Sequence, residues 1–215
     1  MIRYAWLTYR RELLWFPGAL LGFFVVMAWI MRHPDVRFAI ARGYLGFFVP
    51  LVAGILAAYS VLDDPALELR FSTPLRPSQI LVGRLLLVLA VQTAGAFVFQ
   101  LLALGMGVDF SPLGSILAVQ RAWIVPTLAL AAIGVAGSLA AAQCATGAFL
   151  AGAVWLVQLL MKGWLLANGR HLYLFMGVLE PHHPDLLASQ GAVLAASLVL
   201  LTFGWALLHR RERYL

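Results

Sequence analysis

Residues 63–85 read DDPALELRFSTPLRPSQILVGRL. Within them Asp63–Gln79, 17 residues long, is charged and punctuated by proline, and it separates two long apolar runs. Its flanks decide the fold. The chain is 63% hydrophobic and 11% charged, whereas a soluble domain carries roughly 25% charged residues. So few charges cannot clothe 215 residues in water. The surplus apolar surface needs lipid as its solvent, and runs of about 20 apolar residues match a hydrocarbon core of about 30 Å.

Six such stretches lie along the chain: Leu14–Met31, Gly43–Leu62, Ile80–Gly107, Ala122–Ala142, Ala148–Ala167 and Gly191–Leu208. Lipid offers the backbone no hydrogen bonds, so each is expected to be helical. The expectation is an all-α membrane protein of one domain, residues 1–215, with six transmembrane helices. The third run, at 28 residues, is about 42 Å long at 1.5 Å per residue and must tilt, kink or project. The first run shows no small-residue cleavage site and is read as a retained span rather than a signal peptide.

An even number of spans puts both termini on one side. That side holds Arg3, Arg10, Arg11, Arg70, Arg76, Arg84, Arg210, Arg211 and Arg213, against Arg32, Arg37, Arg42, Arg121, Lys162 and Arg170 on the other. The bias predicts cytoplasmic termini. Asp63–Gln79 and a tight turn at Gln143–Gly147 are then cytoplasmic. Before the first span, Tyr4, Leu7 and Leu14 alternate with Arg3, Arg10, Arg11 and Glu12, which reads as an amphipathic helix lying at the membrane interface. The net charge of +6 is spread over loop ends. That distribution fits anionic lipid and gives no soluble basic face for nucleic acid. The single cysteine, Cys144, excludes an internal disulfide and is read as packed core.

Asp64-Pro65 is a good helix start, because Asp caps free amides and Pro suits the first helical position. Leu67 and Phe71 are four apart and share a face. Glu68 lies toward the positive end of that helix and Arg70 toward the negative end. Thr73-Pro74 and Arg76-Pro77 then break it.

In these features the segment resembles the cytoplasmic coupling loop of type 2 ABC exporter permeases. The resemblance is carried by Leu67-Glu68-Leu69, Ser72-Thr73-Pro74, Arg76 to Gln79 and Val82-Gly83-Arg84-Leu85. Pro65-Ala66 stands where that family has Gly-Thr. The six spans, the basic-aromatic N-terminus and the tail RRERYL are also similar to the family. The resemblance implies a bacterial inner-membrane location, a cytoplasmic coupling helix between spans two and three, a second permease subunit in a homo- or heterodimer, and a separate ABC ATP-binding subunit that presses on this loop. It implies that Asp63, Asp64, Leu67, Glu68, Arg70, Phe71 and Arg76 make the coupling contact. ATP and magnesium would sit on the partner, with no cofactor and no catalytic residue in this chain. The residues support that last point independently. A P-loop needs a lysine on the phosphates, and the one lysine, Lys162, lies in the apolar context QLLMKGWLL. The short length is also similar to the haem-exporter membrane subunit of cytochrome c maturation, with no haem-ligand pattern to favour it.

Other polar residues have narrower readings. Gln92, Thr93, Gln100 and Gln158 fall inside apolar spans; they either pair between helices or line a substrate path. Asp and Glu are missing from every span interior, so an ion-driven relay has no carrier. Gly134, Ser138 and Ala142, with Gly137 and Ala141 beside them, are small residues suited to close helix packing. Gly137-Ser138 as an intramembrane nucleophile would need a histidine base, and histidine is absent from the span interiors. Lys162 is expected to snorkel outward.

Between spans five and six, Leu172–Leu179 is too short to cross and reads as re-entrant or as a cover. Glu180-Pro-His-His-Pro-Asp185 follows it. His182 and His183 have ligand-type chemistry, but adjacent histidines in an extended loop point apart, so no metal site is expected. They leave a membrane-embedded enzyme as the alternative class, with a non-transport scaffold subunit as the third.

Overall fold

The structure, a computed structural model, describes residues 12–62 and 77–208. The N-terminal amphipathic stretch falls largely outside the described residues. Residues 63–76, and with them Asp63, Asp64, Leu67, Glu68, Arg70, Phe71 and Arg76, lie outside entirely, as does the tail from His209. Among the described residues the fold is all-helical.

Helix α1 is Glu12–Ile30. After three residues comes α2, Pro34–Gly43, with proline at its first position and Asp35 in its first turn. A π-helical turn, Tyr44–Phe48, leads into α3, Val49–Leu62. Proline explains the turn. Pro50 has no N–H for the Gly46 carbonyl and its ring crowds that carbonyl, so the backbone widens ahead of it. Val49 N–H reaches back to the Tyr44 carbonyl. The rod from α2 through α3 counts as one membrane-length helix, Pro34–Ser60.

Helix α4, Pro77–Gly105, runs for 29 residues. A loop closed by Gly107 and Gly114, both at positive φ, leads to α5, Ile116–Ala141. The Ser115 hydroxyl caps α5 by accepting from Ala118 N–H. Helix α6 is Cys144–Leu160, α7 is Lys162–Asn168, α8 is the short Met176–Leu179, and α9 is Leu186–Leu208.

Four of these helices are long and apolar enough to cross a membrane: Pro34–Ser60, Leu81–Gly105, Ile116–Ala141 and Leu186–Leu208. The stretch Ala148–Ala167 is broken, because α7 turns away from α6 by 83° at Met161. The stretch Leu14–Met31 corresponds to the single helix α1, apolar over Trp15–Ile30. The turn expected at Gln143–Gly147 is also tighter than read, since α5 stops at Ala141 and α6 starts at Cys144. Ala142 takes a left-handed conformation (φ 54°) to make the corner, and Gln143 N–H donates to the Ser138 carbonyl at 3.0 Å. Cys144 is only half-buried there.

Helix α5 forms the axis of the bundle, with Trp123, Leu130, Val135 and Leu139 fully enclosed. Helices α3, α6 and α9 pack around it, while α1 and α4 flank α3. The tightest contact is backbone on backbone. A methyl at Gly134 would fall on the Gly54 carbonyl oxygen. One at Gly147 would fall on the Gly134 carbonyl and lie 2.6 Å from Ser138 N. One at Gly137 would come within 2.8 Å of Leu150 Cδ1. So of the small residues read from the sequence, Gly134, Gly137 and Ser138 do the packing; Ala141 and Ala142 are exposed.

Gly134→Ala and Gly147→Ala are expected to destabilise the purified protein by about 1–3 kcal/mol or more, since backbone cannot yield to a new methyl. Gly191→Ala, with nothing within 4 Å of the added atom, is expected to be neutral or to stabilise by up to about 1 kcal/mol. Thermal melting in detergent distinguishes the two outcomes.

Candidate functional site

Three polar regions interrupt the apolar bundle. The first is the end of the bundle where α3 stops at Leu62 and α4 begins at Pro77. Arg84 Nη1 donates to the Ser60 carbonyl at 2.6 Å, and Ser60 Oγ donates to the Ala57 carbonyl at 2.8 Å. A cation on the last carbonyls of α3 satisfies them and complements the helix dipole. The two helices that bracket residues 63–76 are thereby tied together. Leu81 and Leu208 pack with Ala57 and Leu139 just inside that end.

The second region is the far end of the bundle. Arg37 bridges two helix termini there: Nε donates to the Met31 carbonyl at 2.6 Å and Nη1 to the Met106 carbonyl at 2.7 Å. The segment after α7 folds back into the bundle. Tyr173, Phe175, Met176 and Val178 are all buried, so Leu172–Leu179 packs into the bundle. Two glycines admit it. A methyl at Gly177 would lie 3.0 Å from Ala122 Cα and 3.0 Å from Gln190 Nε2, and one at Gly46 would strike Val178. Gln158 clamps the segment, its Nε2 donating to the Leu172 carbonyl and its Oε1 accepting from Leu174 N–H, both at 3.1 Å.

Ion pairs hold the rim. Lys162 Nζ meets Glu180 Oε1 at 2.7 Å and Arg170 meets Asp185 at 3.0 Å. Lys162 therefore bonds back to the protein instead of reaching outward alone. Its hydrogen bond to Glu180, and then its charge, hold the Glu180 carboxyl below the ordinary carboxylate range, with His183 adding to the effect. His183 Nδ1 accepts from Asp185 N–H at 3.2 Å, while His182 is exposed. Among the described residues no three of His, Cys, Asp and Glu converge as metal ligands would.

The third region is the set of polar residues inside the spans. The structure separates them. Gln100 and Gln120 exchange amide bonds between α4 and α5, with Gln120 Nε2 to Gln100 Oε1 at 2.7 Å and the return bond at 3.3 Å. Trp123 Nε1 adds a donor to Gln120 Oε1 at 2.8 Å. Gln158 is occupied with the folded-back segment. Thr93 is half-buried. Gln92 differs: it is 3% exposed and its Nε2 has no partner among the described residues. Four residues of one type thus do three different jobs. Gln120 and Arg37 were not singled out in the sequence, because what marks them is a partner on a distant helix.

No family model matches the chain, and neither does any curated protein or solved structure. The site has to be read from its own geometry.

Gln158→Leu is expected to leave the Leu172 carbonyl and the Leu174 N–H unpaired, at about 1–3 kcal/mol each. Hydrogen exchange at the Leu174 amide should then accelerate at least tenfold. The Lys162–Glu180 pair is 39% and 41% exposed, so solvent screening limits it to about 1 kcal/mol or less. A lowered carboxyl pKa stabilises above the ordinary value of 4.5 and loses that contribution as pH falls through the lowered value. Wild type should therefore melt slightly above Glu180→Gln at pH 7, and the gap should close on acidification below pH 4.5.

Proposed function

We propose that this chain is the membrane-spanning permease subunit of an ATP-driven ABC exporter. In this reading it crosses the membrane six times, by α1, the α2–α3 rod, α4, α5, the bent α6–α7 pair and α9. Both termini and residues 63–76 face the cytoplasm, and the re-entrant segment faces outward. Two permease subunits form the pathway, and a separate ATP-binding subunit carries ATP and magnesium.

The supporting observation is the bond from Arg84 to the Ser60 carbonyl. It makes the helices on either side of the charged segment one mechanical unit at their base. A push on that segment is then shared by α3 and α4. Helix α3 meets α5 through the Gly54–Gly134 backbone contact, which has no soft side chains to absorb the displacement. The push is passed to the axis of the bundle and on to α6 through Gly147. In the segment itself, Leu67 and Phe71 would fill an apolar groove on the ATPase. Asp63, Asp64, Glu68, Arg70 and Arg76 would set its register by charge, as charged rims do at protein interfaces.

The test is reconstitution with the ATP-binding protein that co-purifies with the chain. Glu68→Lys and Phe71→Asp are expected to insert normally and to abolish transport-coupled stimulation of ATP hydrolysis. Arg84→Ala is expected to keep ATPase binding while lowering stimulation at least fivefold, because the loop would then pull on α4 without α3. Unchanged stimulation in the two loop variants, or purification with no nucleotide-binding partner, overturns the reading.

A further inference from the structure

Gln92 sits midway along α4 and presents its side chain to the seam with α1 and α3. One turn before it, Val88 packs with Val52, Leu56 and Leu20. One turn after it, Ala96 and then Phe99 pack with Phe24, Tyr44 and Leu45. On the same face Gly95 leaves room: an added methyl there would lie 3.8 Å from Leu21 Cδ1 and 4.0 Å from the Tyr44 hydroxyl. The seam is lined by rings. Phe24 lies 5.1 Å from Tyr44 and 4.8 Å from Phe48, and Tyr44 lies 4.2 Å from Phe99, centroid to centroid.

A buried amide N–H without an acceptor costs about 1–3 kcal/mol. Residues 15–30 of α1 and 49–58 of α3 contain no side-chain oxygen, and the Tyr44 hydroxyl of the π-turn makes no hydrogen bond to Gln92 Nε2. Charge is absent too: from Leu85 to Gly105, α4 carries no ionisable residue. The α1 side of the seam is mostly exposed or half-buried. In α1 only Phe24 and Ala28 are buried among residues 15–30. A methyl added at Gly18 or Gly22 would meet nothing within 4 Å. The far end of α1 is held to α4 by Arg37.

We propose that the seam between α1, the π-turn and α4 binds a neutral amphiphile drawn from the bilayer. Its apolar body lies against Phe24, Tyr44, Phe48 and Phe99, and an ester or amide carbonyl accepts the Gln92 Nε2 proton. Helix α1 swings aside to admit it. As the substrate class of the exporter this rests on the proposed function, but binding itself requires no ATPase.

The test uses the full chain alone in phosphatidylcholine nanodiscs. The probe is the methyl ester of a diazirine-bearing fatty acid. Saturable labelling is expected on residues 20–28 and 92–99, competed by excess unlabelled ester. Gln92→Leu should lower that labelling roughly tenfold while raising the melting temperature, because it removes an unsatisfied group. A hydrocarbon diazirine without the ester should label wild type about tenfold less at the same residues, which tests the claim even if the variant fails to fold. Unsaturable labelling of the outward faces around Phe97, Leu101 and Phe203, or equal labelling of Gln92→Leu, overturns the proposal. Loss of ATPase coupling with intact labelling would instead count against the exporter reading alone.

Discussion

The bundle depends on one backbone contact, the meeting of Gly54, Gly134 and Gly147. In lipid there is no hydrophobic force between helices, since acyl chains are as apolar as leucine. Association has to come from close packing and from hydrogen bonds that only close approach permits. Three glycines on three helices let α3, α5 and α6 approach until carbonyl and Cα touch. The buried side of α5 follows from that approach, and so does the enclosure of Trp123, Leu130 and Leu139.

Stiffness and freedom are divided around this centre. Toward the charged segment the bundle is locked by the glycine contact and by Arg84 on the Ser60 carbonyl. Toward the opposite end two prolines interrupt the helix hydrogen bonding, Pro50 in the first turn of α3 and Pro126 within α5. The folded-back segment lodges near both interruptions, with Val178 against Gly46 and Gly177 against Ala122. Because Pro50 and Pro126 cannot donate, the carbonyls at Gly46 and Ala122 lose their usual helical partners, and small residues there accept a close neighbour. The periphery, and α1 above all, is held by side chains instead of backbone contact.

The polar residues show how far residue type carries an argument. Gln92, Gln100 and Gln158 read alike in sequence, as amides stranded in apolar runs. Their roles diverge because their surroundings do. Gln100 finds Gln120 across a helix interface, Gln158 finds two backbone groups of a folded-back segment, and Gln92 finds none. The histidine-rich turn diverges in the opposite sense. Its acids are taken up by Lys162 and Arg170, so ligand-type chemistry becomes rim ion pairs.

The sequence by itself determined that the chain is helical and apolar enough for lipid, where the main breaks fall, and that the run around Gly134 and Gly137 suits close packing. Those properties are local: each follows from composition within one run and from the need of a backbone in lipid to bond to itself. The tertiary structure alone decided that the fifth run bends at Met161, that Leu172–Leu179 enters the bundle, and that Gln92 Nε2 is left unpaired. Each of these depends on which helix stands opposite. Partners of that kind come from residues tens of positions away, and no periodicity within a single run can specify them.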